Sequence, residues 1–135
     1  MKLIVDSNAL FAALIRNSTA RKIISHYDAE FFIISANQEE LEEYQEELIE
    51  KSKIGKIAFQ LVLDNVTKKC ILVEDTALLV YWKEAKEIMD SIDSDDTPFI
   101  AAALATGADI WSDDPHFTKQ KKIKIWKTED LVKFL

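Results

Sequence analysis

The chain has a single cysteine, Cys70, so no disulfide can close within it and no cysteine pair can grip a metal. A reducing, cytoplasmic compartment is the expectation that follows. Two glycines and two prolines are too few for flexible linkers or low-complexity tracts, and no internal repeat is visible, so one domain over residues 1–135 is expected. Long apolar runs are missing as well, none approaching the roughly 20 residues that a membrane span requires. The opening stretch MKLIVDSNALFAAL is interrupted by Asp6 and followed by no small-residue cleavage motif. It therefore reads as structure rather than as a secretory leader. Positive charge is also short, with 17 Lys+Arg against 24 Asp+Glu and a formal net charge of −7. That balance excludes a broad phosphate-binding surface. It does not exclude a nucleic-acid enzyme whose local positive charge comes from metal ions.

What is present is a 48% hydrophobic chain of 135 residues, enough for a core of useful size. Lys2-Leu3-Ile4-Val5 has no polar alternation and reads as a central parallel strand buried on both faces. Ser7 is a candidate cap for a nearly all-apolar helix over 8–16, followed by a second helix over 19–27. Glu30 to Ile34 reads as a strand, stopped by Ser35, another candidate cap. An acidic helix over 36–51 is broken by Gly55 from a helix over 56–67, a pair that is open to forming a protruding arm. A strand over 71–73 and a helix over 77–91 follow. Phe99 to Ala105, FIAAALA, is apolar on every side and reads as a buried helix, with Pro98 in its first turn and Gly107 as a left-handed C-cap. A strand over 109–111, a helical turn from Pro115, a strand over 123–125 and a helix over 128–135 close the chain. Strands alternating with helices imply an α/β fold with a central parallel sheet, right-handed crossovers and helices on both faces.

In such a sheet, ligand sites form beyond the carboxyl ends of the strands. Asp6 ends the first strand, Glu40 lies in the first turns of the helix after the second, Asp96 starts the buried helix and Asp114 follows the fourth strand. Four carboxylates in one dry cleft require protonation or cations between them. Hard divalent ions, Mg²⁺ or Mn²⁺, resolve this with oxygen ligands, and a pair about 3.5–4 Å apart suits phosphodiester hydrolysis. Each acid has a plainer reading. Asp6 is also a possible strand-end cap. Glu40 sits among seven glutamates between positions 39 and 50, a run that usually marks a solvated face. Asp93 and Asp95 suit loop or capping roles, and Asp113 and Asp114 compete for one place. His26 and His116 read as surface residues, with substrate contact the alternative for His116 beside Asp114; Lys119, Lys121, Lys122 and Lys124 read as a solvated edge, with phosphate contact the alternative, and the Phe and Trp residues read as core.

Taken together, IVDSN, SANQEELEEY, DSDDTPFIAAAL and IWSDDPHF resemble the PIN domain family in order and spacing across essentially the whole chain. The resemblance implies a three-layer α/β/α sandwich whose five-stranded parallel sheet runs in the order 3-2-1-4-5. It also implies a metal-dependent ribonuclease, in many members the toxin of a toxin–antitoxin pair. Carried over by position, Asp6, Glu40, Asp96 and Asp114 are the family acids holding one or two Mg²⁺ or Mn²⁺. Ser112 matches the hydroxyl residue of the last motif, Asn8 the polar residue after the first acid, and Asp93 a frequent companion acid, all three placed to orient ligands or water. Ala36 departs from the family, which often has proline there, and Glu43 rivals Glu40 in register. The partners implied are an RNA substrate and an antitoxin protein, with a homodimer as a further option and no membrane. Two other readings are a PIN-like module that binds or regulates without cutting, and a phosphoacceptor receiver domain. The latter expects paired acids near the first strand end, where only Asp6 stands.

Overall fold

The computed structural model describes residues 1–134. Five strands form one sheet: β1 (Lys2–Val5), β2 (Glu30–Ile33), β3 (Cys70–Leu72), β4 (Asp109–Trp111) and β5 (Ile125–Trp126). Their order is β3-β2-β1-β4-β5, and every neighbouring pair is parallel. The register sets Ile4 beside Phe32 and Ile110, so three apolar side chains line up across the middle of the sheet.

The helices are α1 (Ser7–Ile15), α2 (Thr19–His26), α3 (Ser35–Ser52), α4 (Gly55–Thr67), α5 (Asp75–Val80), α6 (Trp82–Asp93), α7 (Thr97–Thr106) and α8 (Thr128–Phe134). Successive β1 residues supply two separate cores. Leu3 and Val5 pack with residues of α1, α2, α4 and α8, while Ile4 packs with residues of α5, α6 and α7. Burial on both faces explains why the strand carries no polar alternation. In α7, Phe99 to Ala103 are all buried, Pro98 occupies the first turn, and Gly107 takes a left-handed φ of 71° as C-cap. Its N–H donates to the Ala103 carbonyl at 2.9 Å, closing the helix as expected.

Several boundaries differ from the sequence expectation for identifiable reasons. The helix expected over 77–91 is two helices broken at Tyr81, whose N–H bonds back to the Leu78 carbonyl at 3.1 Å. The last strand lies at Ile125–Trp126, not over 123–125. The Gln120 side chain takes both backbone polar groups of Ile123 at 2.8 Å each, removing that residue from the ladder. Strand β3 is shifted one residue earlier, though Val73 N–H still donates to the Ile33 carbonyl. Ser7 and Ser35 are first helical residues rather than caps. The α3–α4 pair is docked, not a free arm, because Leu48, Phe59 and Val66 are buried in the core that α1 shares. Phe134 is exposed and Trp82 and Trp126 are half-buried, so not every aromatic is core. Leu135, expected to end the last helix, lies outside the described residues.

Candidate metal centre at the carboxyl end of the sheet

Strand order reverses between β1 and β4, the position where open α/β sheets form a crevice. Asp6 follows β1 directly and occupies the N-cap position of α1, but its carboxylate caps nothing. Its Oδ2 instead accepts a hydrogen bond from Ser112 Oγ, 2.7 Å away and one residue past β4. Ser112 Oγ in turn accepts from the Asp114 N–H at 3.0 Å, and Asp114 Oδ1 accepts from the His116 N–H at 2.9 Å. This relay stitches the ends of two strands together and fixes the loop after β4.

The opposite side of the crevice is set by Asn37, fully buried in the first turn of α3. Its Nδ2 donates to the Val5 carbonyl at 3.1 Å and to Ser7 Oγ at 3.0 Å, and its Oδ1 accepts from the Ile34 N–H at 2.8 Å. Every polar group of this side chain is used, so α3 is locked to the end of β1. Asp93 ends α6, and a short 3₁₀ turn, Ser94–Asp96, carries the chain into α7. Thr97 Oγ donates to Asp90 Oδ1 at 2.7 Å, tying that turn to α6.

Together these elements enclose a cavity of about 570 Å³ lined by Asp6, Asn8, Glu40, Asp93, Asp96 and Asp114, along with Glu39, Glu43 and Asp95. All four candidate acids, and two of the three candidate supporting residues, reach the same space. The third, Ser112, is buried behind Asp6. Among the described residues, no lysine or arginine lines this cavity. Lys119, Lys121 and Lys122 line another one beside Glu84 and Glu87, and Lys124 stacks its ammonium on Trp126 at 4.1 Å.

The electrostatics follow from burial without a cation. Desolvation pushes the Asp6 carboxyl above its ordinary range, with Asp114 and Asp113 adding repulsion and the Ser112 and Ser7 hydrogen bonds opposing it. Glu40 is raised for the same first reason, reinforced by Asp6, Glu43 and Asp95 and opposed by Ser7. Asp96 is pushed up to about 7 by burial and then by Asp93, Asp114 and Asp6. Two polar atoms here are closed to solvent and have no hydrogen-bond partner: Asp96 Oδ2 and His116 Nδ1. Raised carboxylates and orphaned ligand atoms in one cleft fit a divalent cation.

Adjacent acids separate sharply. Asp113 turns away, its Oδ1 accepting from the Thr128 N–H at 2.9 Å and its Oδ2 from Thr128 Oγ at 2.7 Å, which holds the start of α8. Of the two, Asp114 is the one that lines the cavity. Glu40 is half-buried and coupled to Asp6, whereas Glu43 lines the rim and is exposed.

Residues 4–134 match the family model described as the PIN domain. This chain belongs to the PIN domain family. Among solved structures, the PIN domain superposes on a chain of VapBC2 from Rickettsia felis, crystallised bound to a DNA fragment from their promoter. The TM-score is 0.69 at 16% identity, over 94% of this chain and 98% of that one. The likeness is one of fold. No curated protein matches the sequence. Two residues beside the PIN domain's crevice stand outside the site residues expected from the sequence. Asn37 looks like one more polar residue in an acidic helix. His116 reads as surface, and its ring is indeed partly exposed, yet Nδ1 lies 3.2 Å from Asp93 Oδ2.

Proposed function

We propose that this PIN domain is a metal-dependent endoribonuclease in which Asp6, Glu40, Asp96 and Asp114 hold one or two Mg²⁺ or Mn²⁺. The observation that carries this reading is the meeting of four carboxylates from four parts of the chain in a cavity with no basic residue. Three of the four are raised above their ordinary range, so they are costly to keep together unless a cation shares them. When bound, such ions supply positive charge at a scissile phosphate and make water a nucleophile near neutral pH. The protein's own part is positional. Ser112 holds Asp6 by one oxygen, Oδ2, and Asp6 lines the cavity. The Asn8 amide, on the first turn of α1, is placed to orient water or a carboxylate. With no lysine or arginine on the walls, the acids also repel a polyanion until they are neutralised, which makes RNA engagement depend on the metal.

The family resemblance and the VapBC2 neighbour support a toxin restrained by an antitoxin protein. No helix among the described residues is long and apolar enough to cross a membrane. Exposed Leu79 and Val80 on α5 and Ile57 and Leu61 on α4 are apolar surface that a protein partner, or a second copy, would cover.

The test is cleavage of single-stranded RNA by purified protein with Mg²⁺ or Mn²⁺, with excess EDTA, and with Asp6→Asn. Cleavage is expected only with metal, and at least 100-fold slower in the variant. Cleavage that continues in EDTA sinks the metal mechanism, and RNA binding without cleavage at any metal concentration favours a regulatory module.

A further inference from the structure

His116 lies outside the four acids assigned above, on the 3₁₀ turn Pro115–Lys119 that follows Asp114. Its backbone N–H is held by Asp114 Oδ1, which fixes where the ring stands. Nδ1 is 3.2 Å from Asp93 Oδ2 and 3.6 Å from Asp114 Oδ1, yet it makes no hydrogen bond and is closed to solvent. Asp96 Oδ2 shares both properties. A buried imidazole nitrogen and a buried carboxylate oxygen left without hydrogen bonds are each costly, and a common partner removes both costs. Asp93 is anchored by its other oxygen, Oδ1, which accepts from the Asp95 N–H at 3.0 Å, so Oδ2 is free to face His116.

One ligand atom each from Asp93, Asp96 and His116 lie within 4.8 Å of one another. Neighbouring ligands of one cation with bonds of about 2.0–2.2 Å stand roughly 3–4 Å apart, so this cluster is close to the size of a cation site and needs a modest inward movement of its side chains to close on an ion. We infer that Asp93, Asp96 and His116 form a three-ligand site, two oxygens and one nitrogen, for a first-row transition-metal cation. Mg²⁺ favours all-oxygen coordination and gains little from imidazole, whereas Mn²⁺, Fe²⁺, Co²⁺ and Zn²⁺ accept it in increasing measure along most of that series. With Nδ1 as the ligand, the ring proton resides on Nε2. The inference rests on the reading of the cleft as a divalent-metal centre, and adds to it a nitrogen ligand and the chemical class of the ion.

The test uses the full chain with Co²⁺ and Mg²⁺ as probes, titrated calorimetrically into the parent, His116→Ala and Asp93→Asn. Imidazole ¹⁵N resonances are followed in parallel, with His26 on α2 as an internal reference. Co²⁺ is expected to shift or broaden the His116 signal and leave that of His26 in place. Each variant is expected to lose at least tenfold in Co²⁺ affinity, with Mg²⁺ affinity in His116→Ala within about twofold of the parent. Unchanged Co²⁺ affinity in His116→Ala, or a His116 signal that behaves like that of His26, overturns the inference. In that event Mg²⁺-supported cleavage leaves the nuclease reading standing, whereas a parent that binds neither ion removes both.

Discussion

The hydroxyl of Ser112 donates to Oδ2 of Asp6 across 2.7 Å, a contact between residues 106 positions apart that joins the ends of two neighbouring parallel strands. Both side chains are buried, so this bond serves the fold and the cleft at once. It lowers the cost of keeping Asp6 ionised and, through the Asp114 N–H, fixes the following loop.

Ser112→Ala removes the donor to Asp6 and the acceptor for the Asp114 N–H together. A loss of about 1–3 kcal/mol in stability is expected, because two buried groups lose their partners. Cleavage should fall roughly 10–100-fold, as for other residues that orient metal ligands. Urea unfolding and RNA cleavage measure the two effects. A variant as stable and active as the parent removes the linkage argued here.

The pH dependence of the metal-free protein has a definite sign. Asp96 ionises near 3.8 in the unfolded chain and at about 7 in the folded one, so between these values the folded state binds more protons. Its contribution to stability is complete below pH 3.8 and is lost as pH rises towards 7. Asp6 and Glu40 are shifted in the same direction. With the half-exposed Asp96 screened by solvent, the loss from this residue is on the order of 1 kcal/mol. Asp96→Asn has no such charge to desolvate and should be as stable as the parent or more so at pH 7 in chelator. Thermal melts from pH 4 to 8 compare the two proteins, and a marked destabilisation of the variant at pH 7 would show that Asp96 is chiefly structural.

Neighbouring Asp113 and Asp114 should respond oppositely. Asp113→Ala removes both hydrogen bonds to Thr128, and a stability cost of roughly 1–2 kcal/mol with cleavage within a few-fold of the parent is expected. Asp114→Asn keeps a side-chain acceptor for the His116 N–H, so it should fold normally and lose most of its activity. Melting temperatures and initial rates for the pair decide the matter, and the reverse outcome would exchange the two roles.

Asn37→Ala leaves the Val5 carbonyl and the Ile34 N–H without this side chain's hydrogen bonds in a buried site. The expected cost is about 2–4 kcal/mol, enough to rank among the most damaging single changes outside the apolar core. Equilibrium unfolding in urea gives the number. A cost below 1 kcal/mol would mean that water replaces the amide.

The order of the elements and the double-sided burial of the sheet were determined by the sequence alone, because they rest on local physics. Leu3–Val5 has no polar residue to turn outward, FIAAALA is too apolar to lie anywhere but between layers, and Gly107 relieves the left-handed turn that ends it. The placement of Asp6 at a strand end and Asp96 at a helix start follows from those same boundaries, which is why both acids were legible as site candidates. Tertiary structure decided whatever depends on partners distant in sequence. Asp113 and Asp114 are adjacent and chemically identical, and only the arrival of Thr128 from α8 takes one of them out of the cleft. Gln120 withdraws Ile123 from the last strand through side-chain hydrogen bonds that no periodicity encodes. His116 meets Asp93 because a turn after β4 folds against the end of α6, and side chains 23 positions apart have no local propensity that announces their meeting.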